Sequence, residues 1–195
     1  MKSPGSDRTN RRSEDTEPHT QSLGTRSMTY NVQVLQPNEL SKLEIERCLS
    51  LVNEGGALTV RFTENQFRQS TSVCVVRSGN EIVGVGVIKP TRPQYASGIA
   101  KKAHFDLDQN MLELGYVARD PSHHDHRLSE RIVAGLLSYC PDSSLFATTS
   151  SQKMKQTLEQ SGFVQKGIEW LGRNKKELSL WLKSNETETP RSSVK

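Results

Sequence analysis

The sequence predicts a mixed α/β fold with a mostly antiparallel sheet, and two observations carry that prediction. Two pairs of strand-like runs, at residues 72–88 and 163–183, are each joined by a short turn rich in Gly and Asn. Between and around them, amphipathic helical segments alternate with further strand-like runs. No internal repeat is apparent.

The elements follow in order. Tyr30, Val32 and Val34 alternate with polar residues, the period of a half-buried strand. Pro37 and Asn38 open a helix whose apolar side is read from Leu40, Leu43, Ile45, Leu49 and Val52, with Arg47 in the same row as Leu40 and Leu43. Ser41 and Glu44 have capping-box spacing, and Gly55-Gly56 stop the helix. A shorter helical piece is expected at 63–68. The strongest β signal is the Val- and Ile-rich hairpin 72–76 and 81–88, turning at Ser78-Gly79-Asn80. Within it Gly84 and Gly86 alternate with valines and leave one face bare. Approach of a ligand or backbone and a close helix contact explain this equally well.

Residues 90–110 read as an insertion, with one or two helical turns at 95–102 and a polar loop at 106–110. A strand follows at 111–118. Leu128, Ile132 and Leu136 then mark one face of a helix over 128–137. A short buried strand at 145–148 precedes a helix at 151–161, with Met154 and Leu158 inward and Gly162 at its C-terminal cap. The last hairpin, 163–170 and 177–183, turns around Gly172-Arg173-Asn174. The expected order is β-α-α-β-β-β-α-β-α-β-β.

The 195 residues have room for one ordinary domain plus tails. The hydrophobic share, 33%, is low, and the deficit lies at the ends. Residues 1–28 hold almost no large apolar side chain besides Leu23, too little to offset the entropy of ordering them. The stretch 184–195 reads the same way, so both are expected to be disordered, leaving 29–183 as the domain. No apolar core of a secretory signal is present, and Asp7, Glu14, Asp15 and Glu17 speak against a transit peptide. No apolar run reaches the roughly 18 residues that a membrane span needs. Cys48, Cys74 and Cys140 lack metal or redox spacing and suit free thiols in a reducing, cytoplasmic setting. A formal charge of +4 mildly favours anionic partners such as nucleotides. No basic helix and no interleaving of basic and aromatic residues points to nucleic acid.

One stretch carries more specific chemistry. Leu112-Glu113-Leu114-Gly115-Tyr116-Val117-Ala118-Arg119-Asp120-Pro121 leads into Ser122-His123-His124-Asp125-His126-Arg127-Leu128-Ser129. This strand, loop and helix start resemble the GCN5-related N-acetyltransferases, over about residues 29–183. In that family the loop reads Arg/Gln-x-x-Gly-x-Gly/Ala. Here His124 stands at the Arg/Gln position, Arg127 at the first Gly and Ser129 at the second. A second stretch, from Ser151 to Gly162-Phe163, is similar to the family's Asn-x-x-Ala-x-x-x-Tyr-x-x-x-Gly-Phe, with Ser151, Met154 and Leu158 at the Asn, Ala and Tyr positions.

The resemblance implies a central, mostly antiparallel sheet with helices on both faces, which binds acetyl-CoA as cosubstrate. It implies that His124, Asp125, His126, Arg127, Leu128 and Ser129 cradle the pyrophosphate, with Ser151 nearby. The physics of such a cradle is general: the first amides of a helix have no partners and carry partial positive charge. The backbone at Val117, Ala118 and Arg119 is then expected to face the thioester. Arg119 stands where the family has Val, a departure that points to a slipped or bulged register. The acceptor is an amine on a small molecule or a protein, and no metal is implied. Glu113 matches a general-base position of lysine-acetylating members; a plain ion pair with a lysine is the competing reading. Leu158 cannot protonate a thiolate as the family Tyr does, and Tyr116 or Tyr139 would serve only by facing it.

His123, His124 and His126 sit too close together in one loop to surround an ion easily; they suit either phosphates or solvent. Cys140, before Pro141, lacks an identifiable base and reads as packing. Two functions from different classes remain: an N-acetyltransferase, and a module for acyl-CoA or protein binding that keeps the fold without the chemistry. The sequence is silent on oligomeric state.

Overall fold

The structure, a computed structural model, describes residues 29–55, 60–124 and 126–184. The expected tails (Ser184 excepted) and Asp125, a predicted pyrophosphate contact, lie outside the described residues. In chain order the elements are β1 (Tyr30–Leu35), α1 (Lys42–Glu54), α2 (Glu64–Arg68), β2 (Ser72–Ser78) and β3 (Glu81–Lys89). Then come α3 (Pro93–Ala103), β4 (Leu112–Arg119), α4 (Leu128–Tyr139) and β5 (Leu145–Thr149). α5 (Gln152–Gln160), β6 (Val164–Leu171) and β7 (Glu177–Lys183) complete the domain.

All seven strands join one sheet in the order β1-β2-β3-β4-β5-β7-β6. Every pairing is antiparallel except β4 with β5. Alternation along each strand then sorts side chains to two faces. From β2, Val73 and Val75 meet Ile45, Cys48, Phe62 and Phe67 around α1 and α2, while Cys74 and Val76 meet Ile132, Val133 and Leu136 of α4. From β5, Leu145 and Ala147 join the α4 side, and Phe146 packs with Ala96, Ile99 and Ala103 of α3. So α4 and α5 cover one face. α1 and α2 cover half of the other, and α3 covers the half beyond it.

Three details differ from or sharpen the sequence reading. The 90–110 insertion holds a helix of eleven residues, α3, longer than the one or two turns expected and placed between β3 and β4. Pro93 at its first turn and an apolar stripe of Ala96, Ile99 and Ala103 account for it. The apolar face of α1 is Ile45, Cys48, Leu51 and Val52, whereas Leu43 is 77% exposed. The Ser41–Glu44 capping box forms as read. Finally, the bare face at Gly84 and Gly86 is a helix contact. A Cβ at Gly86 would lie 2.4 Å from Ile132 Cγ2, so α4 seats directly on the strand. A second close approach lies at Gly167 in β6, where φ is +65° and an added Cβ would reach 2.0 Å from the Ala103 carbonyl oxygen at the end of α3.

Cys48 and Cys74 are buried free thiols, and burial pushes both up to about 12, which makes them inert at neutral pH. Cys140 is half-buried. Among the described residues no helix is long and apolar enough to cross a membrane.

Candidate functional site

The site begins where two strands part. β4 and β5 pair at Leu112–Leu145 and Glu113–Phe146, and past those two pairs they separate. Beyond Glu113, β4 keeps its bonds to β3 on one edge while its other edge is released. The β3–β4 register also shifts there: Gly115 pairs with Val87 and Ala118 with Val85, so Tyr116 and Val117 together stand opposite Gly86. Tyr116 has φ +53°, a left-handed conformation that is costly for an aromatic residue. The bulge therefore lies just before Arg119, the residue whose departure from the family pattern pointed to one. It turns Val117 toward α4, and Tyr116 and Ala118 toward α1 and α2.

At the floor of the opening Glu113 is buried, 6% exposed, in an ion pair with Lys89 from the end of β3. The two residues are direct cross-strand partners, so strand register alone brings them together. Tyr95, in the first turns of α3, donates its hydroxyl to Glu113 Oε1 at 3.3 Å. Tyr95 is 42% exposed as a residue, and its hydroxyl also lies close enough to Thr148 of β5 to interact with it. Burial and the nearby Glu113 charge raise the Tyr95 phenol above its ordinary value of 10. They push Tyr116 the same way. The Lys89 ammonium lies 5.5 Å from the Tyr95 ring centre and 5.2 Å from that of Tyr116, within cation–π range. Tyr116 in turn stacks on Phe62, with ring centres 3.7 Å apart.

A cleft of about 1480 Å³ passes through the opening to both faces of the sheet. On the α4 face it is lined by Ser129, Ser151, Met154 and Leu158, on the other by Tyr95, Ile99, Tyr116 and the turn between β6 and β7. Of the residues singled out in the sequence, Glu113, Val117, Ala118, Arg119, Ser129 and Ser151 line it. Ser151 also caps α5 through the Met154 amide at 3.3 Å. Leu128 is a core residue, 1% exposed, and does not line the cleft. His123 Nδ1 is 2.8 Å from the Tyr30 hydroxyl, and the His126 ring packs 4.8 Å from Tyr30. His124 Nδ1 meets the Pro121 carbonyl at 3.2 Å.

Ser41, Thr63 and Ser151 cap α1, α2 and α5, whereas α3 and α4 open on Arg92 and Arg127 with no side-chain cap. Arg127 adopts φ +50°, the left-handed conformation that glycine takes most easily, so the glycine-type backbone persists with an arginine in place. Its side chain turns outward, 72% exposed, and pairs with Glu130. Leu158 is wholly buried in the α4-side core. Tyr139 binds the Gln36 side chain at 3.0 Å, outside the cleft.

Lys89, Tyr95 and Thr148 are absent from the sequence reading. A lysine closing a buried strand just before Pro90 was the available signal for the first. Nothing local marks Tyr95, because its meeting with Glu113 depends on how α3 folds back.

No protein-family model matches the chain, and no curated protein matches its sequence. Solved structures do match. ElaA from Escherichia coli aligns with a TM-score of 0.63 at 12% identity, covering 80% of this chain and all of that one. A GNAT-family acetyltransferase from Streptococcus agalactiae gives 0.59 at 12%, covering 82% and 99%. The ribosomal-protein-S18-alanine N-acetyltransferase of Escherichia coli gives 0.55 at 11%, covering 82% and 98%. The chain has the GCN5-related N-acetyltransferase fold.

Proposed function

We propose that this chain is an N-acetyltransferase that moves an acetyl group from acetyl-CoA to an amine. The observation that carries the reading is the parting of β4 and β5 above a buried carboxylate, with an uncapped helix start on the opposite face of the same cleft. Acetyl-CoA suits this arrangement. Unpartnered amides at the start of α4 and the small Ser129 accept a pyrophosphate, with no side chain already in the cap position. The released edge of β4 at Val117, Ala118 and Arg119 leaves backbone groups for the acyl arm and its carbonyl.

In this reading the neutral amine attacks the thioester carbonyl carbon from the Tyr95 side of the cleft. Glu113 takes the proton that the amine loses. Collapse of the tetrahedral species breaks the carbon–sulfur bond, and the departing thiolate receives a proton, giving an amide and free CoA. Lys89 and Tyr95 hold the carboxylate in one orientation. The proposed binding set remains His124, His126, Arg127, Leu128, Ser129 and Ser151, together with Asp125, which lies outside the described residues.

The rival, a binding module without chemistry, draws on the departures at His124, Arg127 and Leu158 and on Lys89, which already engages Glu113. Calorimetry with acetyl-CoA and thiol release over a panel of amines separate the two. Glu113→Gln should lower kcat by about 10²–10⁴-fold and leave acetyl-CoA affinity unchanged. Ser129→Tyr should abolish acetyl-CoA binding in a chain that still melts cooperatively. Binding without turnover of any amine supports the acyl-CoA module; no binding removes both the enzyme and that module and leaves only a protein-binding one.

A further inference from the structure

The acceptor side of the cleft has a charge pattern that the proposed chemistry does not use. Across the whole chain Lys and Arg total 26 against 22 Asp and Glu, close to balance. The cleft departs from that balance. Arg92 and Lys102 line it from α3, and Arg173 and Lys176 from the turn between β6 and β7. Among the described residues none of these four has an ion-pair partner. The acid lining the cleft, Glu113, is already neutralised by Lys89. Arg92 and Lys102 belong to α3, which covers the face away from α4, so they stand apart from the proposed pyrophosphate site. Arg92 lines the same cleft as Tyr116.

Their spacing narrows the partner further. Arg92, Tyr95, Ile99 and Lys102 recur at helical intervals and form one stripe of α3 facing the cleft. The ten steps from Arg92 to Lys102 span about 15 Å at the rise of an α-helix, more than one small anion bridges. An extended peptide covers that distance with about four or five residues. Midway, Gly98 leaves open space where a side chain would stand. The Tyr95 hydroxyl and Glu113, where the amine must arrive, lie near the Arg92 end of this stripe.

Resting on the acetyltransferase reading, we infer that the acceptor is an acidic polypeptide segment, its amine at Glu113 and its flanking carboxylates laid along α3 toward the β6–β7 turn. Long-range attraction from several exposed cations acts mainly on encounter and KM, and salt screens it.

The test uses the full chain, acetyl-CoA and matched peptides carrying a free amine beside Asp and Glu, or beside Asn and Gln. The expected result is a kcat/KM about tenfold higher for the acidic peptide, expressed in KM and diminishing at high salt. Lys102→Gln with Lys176→Gln should erode that preference by raising KM for the acidic peptide, while acetyl-CoA affinity holds. Equal rates on the two peptides, or a preference untouched by the double variant, overturns the inference and leaves acetyl transfer standing. Turnover restricted to small anionic amines also overturns it. Loss of acetyl-CoA binding in the unaltered chain would instead defeat the underlying reading.

Discussion

Lys89 and Glu113 face each other across β3 and β4, and their ion pair forms the floor of the opening between β4 and β5. Both groups are held away from water, with side chains 19% and 8% exposed. Lys89→Met would strand a buried carboxylate. It should cost about 2–3 kcal/mol in urea unfolding, somewhat below the cost for a fully buried pair because Lys89 retains some contact with solvent. Adding Glu113→Gln to Lys89→Met should restore most of that loss, since an amide needs no counter-ion. Additive single effects in this cycle would mean the pair is uncoupled.

Gly86 and Ile132 give a second, purely steric test. A methyl at Gly86 would enter the Ile132 Cγ2 atom and crowd Val117 at 3.3 Å, on the strand opposite the bulge. Gly86→Ala should therefore destabilise the domain by about 1–3 kcal/mol. Ile132→Ala in the same chain should recover part of it by making room. No loss in the single variant would show that α4 moves freely on the sheet.

These two contacts mark how far the sequence could be read. The hairpins, the starts of α2, α4 and α5 and the Glu113 strand were legible because alternation, helical periodicity and turn residues act within a few positions. By contrast, Pro37–Glu39 form a separate 3-10 turn before α1 begins at Lys42, and α3 begins at Pro93. Gly84 and Gly86 announced that something approached closely; only the fold identifies it as Ile132. Leu43 misled, because an apolar residue near the start of a helix looks the same in sequence whether it faces the sheet or solvent. The meeting of Tyr95 with Glu113 depends on the path of α3 across β5 and β7, and no local pattern encodes that path.

Acid stability should depend on two carboxylates, Glu44 at the start of α1 and Asp120 at the exit of β4. Glu44 is held down to about 2 by hydrogen bonds from the Ser41 side chain and backbone, and by Arg77. Asp120, at the exit of β4, is held to about 2 by bonds from Ser122, then by Arg47. In both, the folded chain releases its proton more readily than the unfolded chain. Their contribution is complete above the ordinary values of 4.5 and 3.8 and fades as pH falls toward 2. Stability followed by urea unfolding should fall across that window, and less steeply in Glu44→Gln or Asp120→Asn. An unchanged slope in both variants would place the acid sensitivity elsewhere.

Tyr95 offers the sharpest separation of positioning from proton transfer. Its hydroxyl donates to Glu113 from across the opening, with Thr148 on the far strand beside it. A phenol pushed above 10 by burial stays protonated throughout the working range and gives up its proton poorly, so it suits holding the carboxylate rather than supplying the thiolate. Tyr95→Phe keeps the ring beneath Lys89 and removes the hydrogen bond alone. It should lower kcat about tenfold through a less well-aimed base, with little change in KM for acetyl-CoA. Because the hydroxyl does not titrate below pH 10, the alkaline side of the rate profile should keep its shape in the variant. A wild-type kcat would assign the hydroxyl to packing. Loss of an alkaline limb would make Tyr95 the acid after all, with its proton entering the reaction directly.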